Sequence, residues 1–242
     1  MKDKFKFIPK DKRKKILLLS DDIRMHSGVA TMSREIVCNT AHHFNWFQLG
    51  AALKHPEIGK TFDLSADLNT RLDMKDVDVK VQPCNGYGDP VTVRKLINQE
   101  RPDAIMIFTD PRYWIWLFEI EREVRSQIPI FWLNIWDEYP APMYNKNYYD
   151  SVDVLMGISK QTRNINKLVL EEKASNKIIE FVPHGIDENA FFPIKKDHPS
   201  YDNYAKFRKD LFKEKDIEFV VFFNSRNIAR KHPGDTILAY KL

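Results

Sequence analysis

The sequence predicts an α/β fold in which helices cover both faces of a parallel β-sheet. Short apolar runs alternate along the chain with amphipathic stretches, the pattern that crossover helices between parallel strands produce. The apolar runs are nearly continuous and rich in β-branched and aromatic residues, as in strands that are buried on both faces. With 242 residues, of which 43% are hydrophobic, the chain is long enough to bury such a sheet.

Seven strands and four crossover helices follow from this alternation. We expect the strands at residues 16–20, 44–49, 77–82, 104–109, 128–135, 154–159 and 178–182. We expect the helices at residues 29–39, 90–99, 113–126 and 161–172. Asp89-Pro90 opens the second helix with a capping side chain and a first-turn proline. Parallel strands require such crossovers, and these should be right-handed.

Two regions flank or interrupt this pattern. Residues 1–14 form a basic run that we interpret as a solvated tail. Residues 50–74 contain His55-Pro56 and Gly59, and their apolar residues follow no clear helical or strand period. This segment is therefore predicted to be an insertion or a long loop. The N-terminal domain is therefore expected at residues 15–194.

Residues 195–242 are expected to be a linker and the first βα unit of a second domain. A charged helix is predicted near residues 204–213, followed by an apolar strand at 218–223 and the start of a helix at 234–242. A lone βα unit cannot cover its own apolar faces. We therefore expect this second domain to be incomplete and the chain to be a fragment.

Composition argues against several classes of protein. Cys38 and Cys84 are the only cysteines and lack CxxC or zinc-type spacing, so we expect no disulfide framework, no bound metal and a reducing cytoplasm. No apolar run approaches the roughly 20 residues that a membrane-spanning helix needs, although peripheral membrane contact stays open. The net charge of +4 lies partly in the basic tail, and without a stronger signal we do not expect nucleic-acid binding.

The first candidate site is the turn between the first strand and the first helix, which ends in Ser27-Gly28. Open parallel sheets bind ligands at this edge, and a glycine there lets backbone amides approach an anion or a sugar. His26 and Asp22 are weaker candidates in the same turn. GxGxxG is absent from the turn, which argues against a dinucleotide cofactor, and a simple tight turn remains the alternative.

The second candidate site follows the fifth strand, where the sequence reads Trp136-Asp137-Glu138-Tyr139-Pro140. Aromatic faces and carboxylate acceptors suit a sugar. Adjacent carboxylates on an extended chain point in opposite directions, so Asp137 and Glu138 are not expected to form an acid/base pair. We favour Asp137 as the one that faces the ligand. Ser159, after the sixth strand, is expected to cap the following helix.

The third candidate site is a basic loop that contains Arg226, Arg230 and Lys231. A guanidinium can donate two parallel hydrogen bonds to phosphate oxygens, and an ammonium group presents a compact positive charge. Arg226 and Lys231 could therefore neutralise a diphosphate leaving group. A solvated basic loop is the alternative.

Several segments resemble the GT-B glycosyltransferases of family 4 in the right order. They are the strand and turn from Ile16 to Gly28, the strand Val152 to Ser159, the segment Phe181-Val182-Pro183-His184-Gly185-Ile186-Asp187 with Phe191-Phe192-Pro193, and Phe222-Phe223-Asn224-Ser225-Arg226 with Lys231. The resemblance covers most of the chain. It implies two Rossmann-like domains, of which the second would be truncated because the family's later acidic motif would lie beyond Leu242.

The same resemblance implies a function and a set of contacts. Arg226 and Lys231 would hold the donor diphosphate, while Ser27, Gly28 and Asp137 would lie on the acceptor side. The expected reaction is transfer from a nucleotide sugar to an unknown glycan, lipid or small molecule, with retention and without metal or organic cofactor. No catalytic residue is assigned. The alternatives are a catalytically inactive sugar- or partner-binding module of the same fold and, ranked last, a basic nucleic-acid-binding protein.

Overall fold

A computed structural model describes residues 7–213, 217, 219–225 and 227–241. The chain divides into two compact units, Met1–Gly185 and Ile186–Leu242. The first unit contains the sheet, and the described residues of the second include two α-helices.

An eight-stranded sheet forms the centre of the first unit. Its strands in chain order are β1 Lys14–Asp21, β2 Phe44–Ala51, β3 Phe62–Asp63, β4 Val79–Pro83, β5 Ala104–Phe108, β6 Ile130–Asn134, β7 Val154–Gly157 and β8 Ile178–Phe181. The spatial order is β3-β4-β2-β1-β5-β6-β7-β8. All neighbours pair in parallel except β3, which runs antiparallel to β4. The seven predicted strands are therefore confirmed.

Seven helices of the first unit connect these strands. They are α1 Gly28–Thr40, α2 Ser65–Leu72, α3 Pro90–Glu100, α4 Ile115–Glu119, α5 Glu121–Arg125, α6 Lys146–Asp150 and α7 Lys160–Leu170. The predicted helix at 113–126 is divided: a 3₁₀ turn, Pro111–Trp114, precedes α4, and Ile120 separates α4 from α5.

The sheet has an apolar core on each face. Along β1, Leu17 and Leu19 enter one core, while Ile16 and Leu18 enter the other. Side chains of α3, α4, α5 and α7 fill the first core, and side chains of α1 and α2 contribute to the second. Because successive strand residues point to opposite faces, a strand with an unbroken apolar run needs helices on both sides. The expected α/β fold is confirmed.

Residues 50–74 are more ordered than the predicted insertion or loop. They contain β3 and α2, and Leu68 of α2 is buried in the second core. The Asp63 carboxylate accepts the Ser65 backbone N–H at 2.9 Å, and the Ser65 hydroxyl accepts the Val79 N–H at 3.1 Å. The loop expectation was therefore wrong for β3 and α2, which these local bonds and the burial of Leu68 hold in place.

The end of the predicted basic tail belongs to the folded unit. Arg13 is only 8% exposed, and its guanidinium donates to the carbonyls of Ile8 and Asp76 at 2.7 and 2.6 Å. Lys14 already lies in β1. A basic run in a sequence does not distinguish a solvated cation from one that ties down a loop, as Arg13 does.

The second unit contains α8 Tyr201–Phe212 and α9 Pro233–Lys241. The strand predicted at 218–223 is not formed at residues 219–223, and Glu218 lies outside the described residues. A strand needs a neighbour for its backbone hydrogen bonds, and the described part of this unit offers none.

No helix among the described residues is long and apolar enough to cross a membrane.

Candidate functional site

The strand order has a topological switch point between β1 and β5. The region outside the carboxyl ends of these two strands is called the crevice here. The chain proceeds outward from β1 to β2 and β4 on one side, and then returns to β5 on the other side. Connections leave the carboxyl ends of β1 and β5 in opposite directions, which makes this the point where open α/β sheets bind ligands.

The Asp21 carboxylate at the end of β1 is held from two sides. The Ser27 hydroxyl donates to Asp21 Oδ2 at 2.8 Å, and the Tyr87 hydroxyl lies 3.4 Å from Asp21 Oδ1. Burial, followed by the neighbouring Asp21 charge, raises the pKa of Tyr87, so this phenol stays protonated at neutral pH and can donate. Ser27 also accepts the Ala30 N–H at 3.0 Å and thereby caps α1.

Gln48, a buried residue of β2, fixes the backbone of the same turn. Its Nε2 donates to the Asp21 carbonyl at 2.8 Å, and its Oε1 accepts the Ile23 N–H at 3.0 Å. Both polar ends of this side chain are thus satisfied by the turn. The Asp21 backbone is therefore positioned by a neighbouring strand and not by the turn alone.

The Asp22 side chain is held by contacts within the protein. Its carboxylate is fully buried and forms a two-point ion pair with Arg24, in which Nη2 lies 2.6 Å from Oδ2 and Nε lies 2.9 Å from Oδ1. Gly50 of β2 lies against it: a Cβ at this glycine would be 2.5 Å from Asp22 Oδ2. Asp22 is therefore occupied within the protein, whereas His26 in the same turn is exposed.

Gly28 begins α1 next to this cluster. A Cβ built at Gly28 meets no atom within 4 Å, so the fold itself leaves this space open. The absence of a side chain at this position keeps the first turn of α1 accessible beside Asp21 and Ser27.

Aromatic and charged side chains follow β5 at the same edge of the sheet. Tyr113 stacks on Tyr87 with ring centroids 4.1 Å apart and planes 4° apart. The neighbouring Arg112 is paired with Asp110, its Nη2 lying 2.6 Å from Asp110 Oδ2, and its guanidinium lies 5.1 Å from the Trp136 ring centroid. The ends of β4, β5 and β6 are thereby connected through side-chain contacts.

The segment after β6 contributes a further cluster. Trp136 donates from Nε1 to Glu138 Oε2 at 3.3 Å, and Tyr144 donates its hydroxyl to the same oxygen. The rings of Trp136 and Tyr144 meet edge to face at 6.1 Å. Buried Asn134 accepts the Trp136 backbone N–H at 3.0 Å and so anchors the start of this segment.

Asp137 does not join these aromatic contacts. It is exposed, and its backbone carbonyl accepts a hydrogen bond from Gln161 at 3.1 Å. Glu138 has the aromatic partners instead. The sequence indicated that only one of two adjacent carboxylates would face a given direction, but it could not say which one. Ser159, as expected, caps α7 by accepting the Thr162 N–H at 2.9 Å.

The basic loop is described only in part. Arg226 lies outside the described residues, so its predicted phosphate contact has no structural counterpart here. Lys231 is exposed and ends a 3₁₀ turn, Ala229–Lys231, directly before α9. The adjacent His232 pairs with Asp235 at 2.9 Å.

His184, from the segment that resembles family 4, lies near the crevice. Its ring meets the ring of Phe108, the last residue of β5, edge to face at 5.6 Å. Desolvation lowers the pKa of His184, which favours a neutral imidazole at neutral pH. Among the described residues, no group of three His, Cys, Asp or Glu side chains is placed to hold a metal ion.

Sequence reasoning missed Asp21, Gln48, Tyr87, Arg112, Tyr113 and Tyr144. A signal existed for four of them, because Asp21 directly follows the first predicted strand and Tyr87, Arg112 and Tyr113 follow later predicted strands at the carboxyl edge. Gln48 lies inside a strand and Tyr144 follows a proline-containing loop, so neither had such a signal.

Comparison with known proteins found similarity to solved structures. No protein-family model matches the chain, and no curated protein sequence matches it. A similar solved structure is the crystal structure of Medicago truncatula UGT71G1 complexed with UDP-glucose, with 10% identity and a TM-score of 0.36. The match covers 83% of this chain and 58% of that one, so this chain spans less than two thirds of its length.

Proposed function

We propose that this chain is a retaining, nucleotide-sugar-dependent glycosyltransferase. The first unit holds the acceptor at the carboxyl edge of its sheet, near Ser27 and Gly28. Arg226 and Lys231 neutralise the donor diphosphate, and neither a metal nor an organic cofactor is required. These assignments follow the resemblance of the sequence to GT-B enzymes of family 4. The protein acts in the cytoplasm, a proposal supported by its two unpaired cysteines.

The crevice at the β1/β5 switch point is the observation that carries this proposal. A held carboxylate, Asp21, and an open helix start, Gly28, follow β1 there, and the ring of His184 meets Phe108 at the end of the neighbouring strand β5. Such a site offers acceptors for sugar hydroxyls and free amides for an oxygen-rich ligand. Of the sequence segments that resemble the family, the one that ends at Gly28 follows β1 at this crevice, and His184 from another contacts the end of β5.

The proposed reaction exchanges one glycosidic bond for another. The bond between the anomeric carbon and the diphosphate oxygen breaks, and the bonding electrons leave with the diphosphate. An acceptor hydroxyl attacks on the face from which the diphosphate departs, and its proton passes to the departing phosphate oxygen. The cationic side chains stabilise the charge that develops on the diphosphate.

The first experiment measures nucleotide release. The full chain is incubated with UDP-glucose and a panel of UDP-, GDP- and ADP-sugars, with and without a library of glycan, lipid and small-molecule acceptors. We expect one nucleotide class to be released in an acceptor-dependent manner. NMR of the product should show the anomeric configuration of the donor. An inverted product would contradict retention, and no release from any donor would contradict transferase activity.

Lys231→Ala tests the donor assignment. Loss of one phosphate-contacting cation should lower kcat/KM by roughly 10- to 100-fold, because a charge-assisted contact is worth about 1.5–3 kcal/mol. Lys206→Ala, at an exposed lysine of α8, is the matched control and should keep full activity. Equal activity of the two variants would remove Lys231 from the donor site.

A further inference from the structure

An unbroken row of side chains follows the carboxyl edge of the sheet across the ends of β4, β5 and β6. The row, named here the aromatic shelf, consists of Tyr87, Arg112, Tyr113, Trp136 and Tyr144. Tyr87 stacks on Tyr113, Arg112 precedes Tyr113 in the chain and lies over Trp136, and Trp136 meets Tyr144.

The shelf is open on its outer side within the first unit. Tyr113 is 48% exposed, Tyr144 is 61% exposed, and the Arg112 side chain is 63% exposed. Solvent-facing aromatic rings are costly to leave in water and usually indicate a binding surface. These rings are also held in place, because Tyr113 stacks on the Tyr87 ring and Tyr144 donates its hydroxyl to Glu138.

The charges beside the shelf select against an anionic ligand. The carboxylates of Asp21, Asp110 and Glu138 lie along it, and the only guanidinium among the shelf residues, Arg112, is already paired with Asp110. A phosphate or a sulfate would meet net negative charge here. Hydroxyl groups, in contrast, donate well to carboxylate oxygens.

The aromatic shelf is also long enough to contact more than one sugar ring. The exposed side chains of Arg112, Tyr113 and Tyr144 and the half-buried ring of Trp136 succeed one another across two loops, and Asp110 and Glu138 provide carboxylates beside them. A single sugar ring would cover only part of this row. The C–H faces of successive rings could stack on it while their hydroxyls reach the carboxylates.

We propose that the aromatic shelf binds a neutral oligosaccharide of two or more sugar rings, and that this oligosaccharide is the acceptor. The identification as acceptor rests on the proposed transferase function. The binding of a neutral oligosaccharide to the shelf is independent of it. The carboxylates along the shelf disfavour two other ligands, a lipid phosphate and an acidic glycan.

The test uses the full chain without nucleotide sugar. Fluorescently labelled protein is applied to a glycan array that contains neutral and uronic-acid oligosaccharides of one to six rings, and to vesicles that contain phosphatidylglycerol. Binding should be confined to neutral glycans and should strengthen at least tenfold from one ring to three. Binding to no neutral glycan, or preference for acidic glycans or for the vesicles, would overturn the proposal.

Shelf variants then locate the binding. Tyr113→Ala and Trp136→Ala should each weaken binding of the best neutral glycan at least tenfold, since stacked aromatic contacts dominate such a surface. Tyr113→Phe, which keeps the ring, should bind nearly as the wild type does. The control Tyr204→Ala removes an exposed tyrosine of α8 and should not affect binding. Far-UV circular dichroism establishes that each variant is folded, and unchanged binding by both folded alanine variants would remove the shelf from the site.

The two proposals fail in different ways. Glycan binding without nucleotide release would leave the shelf as a carbohydrate-binding surface and overturn the transferase. Nucleotide release that depends on a non-carbohydrate acceptor, with no glycan binding, would retain the transferase and overturn the shelf. Transfer onto the same neutral glycan that the shelf binds supports both.

Discussion

At the scale of single residues, two glycines at the crevice serve different purposes. Gly50 makes room for the buried Asp22 carboxylate, because a Cβ would lie 2.5 Å from its Oδ2. Gly28, at the start of α1, has no neighbouring atom within 4 Å of such a Cβ. Packing within the protein therefore explains Gly50, whereas Gly28 is available for contact with a ligand.

Alanine substitutions separate these two purposes. Gly50→Ala should destabilise the protein by about 1–3 kcal/mol, because the Asp22–Arg24 pair must move to admit a methyl group in a packed core. Gly28→Ala should change the free energy of unfolding by no more than about 0.5 kcal/mol. Urea denaturation measures both. A Gly28→Ala variant as unstable as Gly50→Ala would show that packing also explains Gly28.

The Gly28→Ala variant also has a functional consequence. With its stability unchanged, it should still reduce nucleotide release or glycan binding if a ligand approaches the start of α1. Full activity would remove Gly28 from the site while leaving its neighbours Asp21 and Ser27 in it.

At the scale of elements, three helices begin at the carboxyl edge with side-chain caps. Ser27 caps α1, Asp89 caps α3 and Ser159 caps α7, each by accepting a backbone N–H from the first turn. Each cap satisfies one of the backbone donors that a helix start leaves unpaired. Asp89-Pro90 and Ser159 were recognisable in the sequence because both stand at the end of a strand or loop and before an amphipathic run.

The Asp89 cap should make part of the stability depend on pH. Hydrogen bonds from the Thr92 backbone and then from its hydroxyl lower the pKa of Asp89. A carboxyl group with a lowered folded-state pKa stabilises fully above its unfolded pKa of about 4, and this contribution is lost as the pH falls through the folded-state pKa.

Asp89→Asn tests that dependence. The variant keeps an acceptor for the cap, so its stability at pH 7 should lie within about 0.5 kcal/mol of the wild type. Below about pH 4 the wild type should lose stability more steeply than the variant. Urea denaturation from pH 2.5 to pH 7 gives both curves. Ser159→Ala is the control, because it should lower stability by about 1 kcal/mol at every pH. Parallel curves for wild type and Asp89→Asn would rule out the contribution of this carboxylate.

At the scale of the whole molecule, the buried residues in the described part of the chain are confined to the first unit. The last buried residue among those described is Leu170, and both apolar cores lie within the eight-stranded sheet and its helices. In the second unit, Phe207, Leu211, Phe222, Ile237 and Tyr240 are all exposed. The free energy of folding should therefore come almost entirely from the first unit.

Dividing the chain at the unit boundary tests this distribution. Residues 1–185 alone should unfold cooperatively, with a thermal midpoint within about 5 °C of the full chain, because a change of about 1 kcal/mol in stability shifts the midpoint by only a few degrees at this size. Residues 186–242 alone should show no cooperative transition. Calorimetry and 1-anilinonaphthalene-8-sulfonate fluorescence measure both fragments. Loss of folding in the first fragment would show that its core requires the second unit.

The sequence alone determined seven of the eight strands of the sheet and most of its helices, and it predicted the edge at which the proposed site lies. Its apolar runs specify a strand wherever both faces can be covered, and every strand predicted in the first unit was found. The predicted strand at 218–223 differs in this respect: its run is equally apolar, but the described part of the second unit has no strand to pair with it. Local pattern therefore predicts the capacity to form a strand, and partners decide whether it forms.

Tertiary structure decided which side chains meet at the edge. It brought Tyr87 onto Tyr113 across 26 residues of sequence, turned Glu138 and not Asp137 toward Trp136, and tied Arg13 to the carbonyls of Ile8 and Asp76. These contacts depend on the order and register of strands that are distant in the chain. Composition and periodicity carry no information about that order, because they describe each segment alone, whereas side-chain direction is fixed only when segments pack.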